Sequence, residues 1–171
     1  MFKRKLLAGT EAFTLIELIV VVSLISVMLF FAVPKMGGSF FANDARKFSG
    51  WLLANVRDLK SKSVEEQTVL ALYVDLDHNQ IWKGPAVMEE EDFPDRQDPG
   101  RVSLPEHYSL TGVIFSEHVR VANGIARIYF YPKAYSDRAI IHIRKNDGSG
   151  MSYRIESFLP HAKVLDGYEE F

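Results

Sequence analysis

The chain has no cysteine, so it can form neither a disulfide nor a thiolate metal site. A domain without those supports rests on its apolar core, and 47% hydrophobic residues are enough to build one. An excess of positive charge is also lacking, with 20 Lys and Arg against 22 Asp and Glu. That balance argues against a general nucleic-acid surface, and no nucleic-acid partner is expected. No P-loop, dinucleotide fingerprint, nucleophile elbow or H-E-x-x-H pair occurs, so neither catalysis nor a cofactor is expected. The five histidines, His78, His107, His118, His142 and His161, are scattered without ligand spacing and read as surface or strand residues. Internal repeats and low-complexity tracts are missing as well.

What the chain does have is a long greasy run near its start. Residues 13–33, FTLIELIVVVSLISVMLFFAV, are apolar throughout except for polar Thr14, Ser23 and Ser26 and a single charge, Glu17. About 20 such residues match the thickness of a bilayer as a helix. A lone carboxylate one turn into that helix is costly in hydrocarbon and calls for a partner or a purpose. Upstream lies a short basic leader with Lys3, Arg4 and Lys5, which holds that end on the cytoplasmic side. A secretory signal peptide would have a shorter apolar core followed by a small-residue cleavage site. Here the run is followed by Pro34-Lys35-Met36-Gly37-Gly38. A plain membrane anchor fits the length but gives no reason for Glu17.

The segment Ala12-Phe13-Thr14-Leu15-Ile16-Glu17 resembles the N-terminal signal of type IV pilins and type II secretion pseudopilins. In that family a basic leader ends at a small residue and a phenylalanine becomes the new N-terminus. The family usually has glycine before the phenylalanine; this chain has Ala12, and its nearest glycine is Gly9. Cleavage after Ala12 keeps the Phe-to-Glu spacing, whereas cleavage after Gly9 does not. The resemblance implies a prepilin peptidase as partner, which cuts between Ala12 and Phe13 and N-methylates Phe13 with S-adenosylmethionine of its own. It also implies assembly roles for Thr14 and Glu17, the glutamate of one subunit neutralising the terminal amine of its neighbour in a filament of pseudopilins. The alternative for Glu17 in an isolated monomer is a protonated carboxyl with a local hydrogen bond.

Beyond the greasy run, Pro34 is expected to kink or interrupt the helix, and Gly37-Gly38 to weaken the next turn. Ala45, Phe48, Leu52, Val56 and Leu59 then recur at helical spacing and lay an apolar stripe along one side, with Asn43 or Asp44 as candidate cap. The period switches to alternation at Thr68–Asp75, which turns through Asp77-His78-Asn79 into Gln80–Lys83. Residues 85–106 hold four of the seven prolines and the run Glu89–Asp92, and read as a loop. Carboxylates in 89–98 are numerous enough for calcium but lack the regular spacing of a calcium loop, so a solvated loop is expected. Two hairpins are expected last: His118–Ala122 turning at Asn123-Gly124 into Ile125–Tyr131, and Ala139–Lys145 turning near Asp147-Gly148 into Met151–Ser157. Alternation gives Ile128, Phe130, Ile141, Ile143, Tyr153 and Ile155 to the core, and Arg154 and Glu156 to solvent. The tail from His161 is too short and polar for another domain.

The fold class is therefore α+β: a long kinked N-terminal helix, first apolar all round and then amphipathic, packed on an antiparallel sheet. The resemblance independently implies this pilin-like fold. The divisions are a leader (1–12), a transmembrane or filament-core helix (13–33), its amphipathic continuation (34–63) and a periplasmic β-sheet domain (64–171). The hairpins with their D-G-S-G turn resemble the minor pseudopilin H group and its pilus relative FimT. Two functions follow as expectations. The first is a minor pseudopilin of type II secretion, single-pass in the bacterial inner membrane and helping to drive protein export. The second is a FimT-like minor type IV pilin acting in pilus assembly or DNA uptake. Removing the leader leaves 17 basic against 21 acidic residues, and that charge favours secretion over DNA capture.

Overall fold

The computed structural model describes residues 14–116 and 119–171, with side chains described at all of these except 29–44. Ala12 and Phe13, and the capping candidates' side chains at 43 and 44, lie outside what is described. The chain divides into two compact units, residues 1–40 and 41–171. One helix, α1 (Leu15–Glu65), contributes to both. Pro34 falls inside this helical span, where its side chain is not described, and its kink stays an expectation.

In residues 41–171 the helical part of the chain is followed, among the described residues, by ten strands. They are β1 (Leu70–Asp75), β2 (Gln80–Pro85), β3 (Val102–Ser103), β4 (Tyr108–Phe115), β5 (Arg120–Val121), β6 (Ile125–Tyr131), β7 (Tyr135–Ser136), β8 (Ala139–Lys145), β9 (Gly150–Ile155) and β10 (Lys163–Asp166). They form two antiparallel sheets rather than the single one expected. The first runs β3-β2-β1-β6-β7 and the second β10-β9-β8-β4-β5.

The expected hairpin at Asn123-Gly124 is not formed. Six consecutive pairs, Leu70↔Phe130 through Asp75↔Ile125, put β6 beside β1. The two-residue β5 pairs instead with β4, through Val113↔Val121 and Ile114↔Arg120. A long partner with matched alternation outcompetes a short local one, so this turn links the two sheets. Gly124 adopts φ +71°, its N–H donates to the Asp77 carboxylate at 3.1 Å, and its carbonyl accepts from Leu76 N–H at 3.0 Å. The second expected hairpin is present, with β8 paired to β9 from Ala139↔Ile155 to Arg144↔Gly150. Strands β3, β4, β7 and β10 add to the expected set, β3 within the segment 85–106 that reads as loop throughout in the sequence.

The apolar stripe of α1 does face the core. Phe48, Leu52, Val56 and Leu59 are buried together with Leu72 and Val74 of β1, Ile128 and Phe130 of β6, Val113 of β4, Ile141 and Ile143 of β8, and Tyr153 and Ile155 of β9. One helix face thus closes the inward faces of both sheets, which removes far more apolar surface from water than either sheet could alone. The position of the helix is set further along by Lys60. Its buried ammonium donates to the carbonyls of Glu156 at 2.7 Å, Ser157 at 3.2 Å and Leu159 at 2.5 Å. Burial lowers the Lys60 pKa against an opposing pull from Glu156, but the three carbonyls satisfy its donors.

Each sheet is also covered on its outer side. On the first, Tyr73 and Trp82 stack at 5.3 Å and Phe93 meets both edge-on. Arg101 lies 3.9 Å over the Trp82 ring. Phe93 and Arg101 thereby pin the proline-rich segment 85–106 to the sheet, while the acidic stretch 89–98 is exposed apart from half-buried Phe93 and Pro94. On the second sheet the polar tail does the covering. Ser152 donates to the Gly167 carbonyl at 2.6 Å, Arg154 is ion-paired with Glu169, and Arg138 lies 4.2 Å from the Phe171 ring. Arg154 is therefore half-buried, not solvent-facing as alternation implies.

His142 of β8 sits under that tail, almost fully buried, with its ring 5.2 Å from Tyr168. Burial, and next the positive charge of Arg120, hold its pKa below the usual imidazole value. The unfolded chain then takes up this proton first as pH falls through about 6.5, so stability present above that pH is lost on going below it. Melting temperature should fall with pH from 6.5 downward, at no more than about 1.4 kcal/mol per pH unit from this group. The corresponding slope should disappear in His142→Gln. A wild-type melting curve indifferent to pH between 7 and 5 would contradict this.

Candidate functional site

The candidate site of the N-terminal unit is the start and surface of α1. The first residues of the sequence motif set the helix boundary. Thr14 is non-helical and its carbonyl accepts from Leu18 N–H at 3.2 Å and from Glu17 N–H at 3.1 Å. The Thr14 hydroxyl oxygen also accepts from Glu17 N–H at 3.3 Å. Thr14 is thus the N-cap, and Glu17 stands at the third helical position, where a negative charge complements the helix dipole. The T-x-x-E spacing is the signature of a capping box, a local role that sequence reasoning missed although the signal was in plain view. The Glu17 carboxylate has no partner among the described residues and is exposed.

From there the helix shows apolar side chains on every side. Leu15, Ile16, Leu18, Ile19, Val20, Val22, Leu24, Ile25, Val27 and Met28 are all at least half exposed, Leu15 at 78%. The two hydroxyls in this stretch are turned onto the helix itself: Ser23 donates to the Ile19 carbonyl at 2.7 Å and Ser26 to the Val22 carbonyl at 2.8 Å. Both polar groups are thereby satisfied without water or a neighbour. An uninterrupted apolar surface of this kind demands a partner, whether lipid or protein. Among the described residues no helix is long and apolar enough to cross a membrane; the rest of the apolar run, residues 29–33, has no described side chains.

The structure therefore brings Thr14 and Glu17 together at one helix end. The cleavage residues Ala12 and Phe13 lie outside the described residues. The acidic segment 89–98 is exposed, apart from half-buried Phe93 and Pro94, and is far along the sequence from this end. The tail that covers the second sheet, with Tyr168, Glu169 and Glu170, escapes a reading by length and polarity alone; the two aromatics Tyr168 and Phe171 that flank its acidic pair are the available signal.

No family model and no curated protein matches the sequence. The fold does have solved counterparts. A structure of the minor pseudopilin EpsH from the type II secretion system of Vibrio cholerae superposes with a TM-score of 0.51 at 7% identity, over 72% of this chain and 97% of the other. A crystal structure of the same pseudopilin gives 0.53 at 8% identity, over 75% and 98%. At such identities the likeness lies in the arrangement of helix and sheets, not in shared side chains. The chain has the fold of a type II secretion minor pseudopilin.

Proposed function

We propose that the chain is a minor pseudopilin of a type II secretion system, a structural subunit that waits in the bacterial inner membrane with residues 64–171 in the periplasm. Prepilin peptidase removes residues 1–12 and methylates the new terminal amine of Phe13. The subunit then packs by its apolar helix beside other pseudopilins in a short filament that helps push cargo outward. The observation that carries this reading is the joining, in one chain, of the pseudopilin fold to a fully apolar helical surface that begins at a capped Thr14 and bears Glu17 as its one charge. The work asked of the protein is packing, in which close van der Waals fit of the apolar side chains holds helices together and pairing of the Glu17 charge sets their register.

Processing is the direct test. Mass spectrometry of protein extracted from membranes is expected to show a chain beginning at methyl-phenylalanine 13, and Ala12→Gly is expected to be cut at least as fast as wild type. A mature terminus at Thr10, or an uncut chain in cells with active peptidase, would contradict the reading.

A further inference from the structure

The outer side of the second sheet holds a cavity that helix packing does not use. It is a half-open hollow of about 550 Å³ whose wall includes Thr111, Arg120, His142, Arg144, Tyr168 and Glu170. Strand alternation builds it. Ile141 and Ile143 point to the core, so His142 and Arg144 point to the opposite face. The ladder sets His142 beside Gly112 of β4 and Ser152 of β9.

The hydrogen bonds around His142 fix its ring. Ser152 has one hydroxyl proton and gives it to the Gly167 carbonyl at 2.6 Å. The 3.0 Å contact between His142 Nδ1 and Ser152 Oγ therefore has the ring as donor. A neutral imidazole carries one N–H, so Nε2 is left with a bare lone pair. The charged groups facing this ring are Arg120 of β5, Arg144 on its own strand and Glu170 from the tail; Arg154 of β9 is taken by Glu169. Arg120 donates to the Thr111 carbonyl at 3.4 Å, which keeps its guanidinium at the rim. Arg144 is exposed and has no ion-pair or side-chain hydrogen-bond partner among the described residues. Two guanidinium groups thus share a cavity whose wall, among the described residues, contains a single carboxylate.

We propose that this cavity is an oxyanion site, taking a carboxylate or phosphate group between Arg120 and Arg144, with Nε2 of protonated His142 as a third donor and Glu170 as an internal competitor. Paired guanidinium groups suit such anions because each offers a planar fork of donors. A bound anion offsets the Arg120 charge felt by His142, so binding takes up a proton and tightens as pH falls. Glu170, the one carboxylate of that wall among the described residues, offsets part of the field of the two cations, so its charge opposes the entry of an anion.

Equilibrium dialysis of radiolabelled sulfate against the full chain in detergent tests this. Sulfate keeps its charge from pH 5 to 8, so any pH dependence belongs to the protein. One saturable equivalent is expected, bound more tightly at pH 6 than at pH 8. Arg144→Gln, at an exposed and unpartnered position, should keep the fold and weaken binding by about tenfold. Glu170→Gln should tighten it severalfold. Displacement by succinate and by inorganic phosphate, run in parallel, distinguishes a carboxylate ligand from a phosphate one by which competes at lower concentration. The absence of saturable binding, or wild-type affinity in Arg144→Gln, would overturn the proposal.

Discussion

Leu52→Asp is expected to abolish the folding of residues 41–171. Leu52 has no exposed surface and lies where the helix stripe meets the inward faces of both sheets. Removing a buried leucine side chain costs about 2–5 kcal/mol before any other effect. Placing a carboxylate there without a hydrogen-bond donor adds several kcal/mol more. The sum reaches the whole stability of an ordinary domain, roughly 5–15 kcal/mol. Circular dichroism of the fragment should show no cooperative melt. Arg57→Asp, on an exposed position of the same helix, should change stability by no more than about 0.5 kcal/mol. A Leu52→Asp fragment that melts within a degree or two of wild type would mean that the stripe does not carry the core.

Loss of Glu17 is the second large effect, and it falls on assembly rather than folding. The residue is exposed at the first turn of α1 and its backbone N–H, not its carboxylate, makes the contact with Thr14. Glu17→Ala is therefore expected to leave membrane insertion and cleavage largely intact. In a filament it would leave a neighbour's terminal amine buried without a counter-charge, at a cost of about 3–5 kcal/mol. Glu17→Gln keeps shape and hydrogen bonding while removing charge. If crosslinking of Glu17→Gln to co-expressed pseudopilins matches wild type, the charge is dispensable and the ion-pair account fails.

Local patterns were legible where one element decided its own fate. The 3.6-residue stripe of α1 and the alternation of β6, β8 and β9 placed Phe48, Leu52, Ile128, Phe130, Ile141, Ile143, Tyr153 and Ile155 in the core without a structure. The β8–β9 turn was legible because Gly148 supplies the positive φ it needs. What failed was pairing at a distance. Asn123-Gly124 carries the signal of a tight hairpin, yet β6 gains six pairs by joining β1 while β5 has only two residues to offer. Strand β10 was hidden because Lys163 and Asp166 are exposed there, so its burial pattern never alternates cleanly. The oxyanion cavity was out of reach for the same reason, since β5, β8 and the tail meet only after both sheets have formed. At the N-terminus, in contrast, the relevant chemistry is local: the lone charge of Glu17 was legible in the sequence, while sequence reasoning missed the Thr14 cap, written in the same T-x-x-E spacing.

Packing between subunits is the work assigned to the apolar helix, and the absence of cysteine makes that packing directly measurable. Leu24→Cys places the only thiol of the chain on the exposed apolar helix. The measurement is oxidative crosslinking, in cells with active prepilin peptidase, to a co-expressed major pseudopilin carrying one cysteine in its own apolar helix. A disulfide-linked heterodimer that depends on the peptidase is the expected result. A chain that stays monomeric, or that crosslinks equally well without the peptidase, would contradict the assignment.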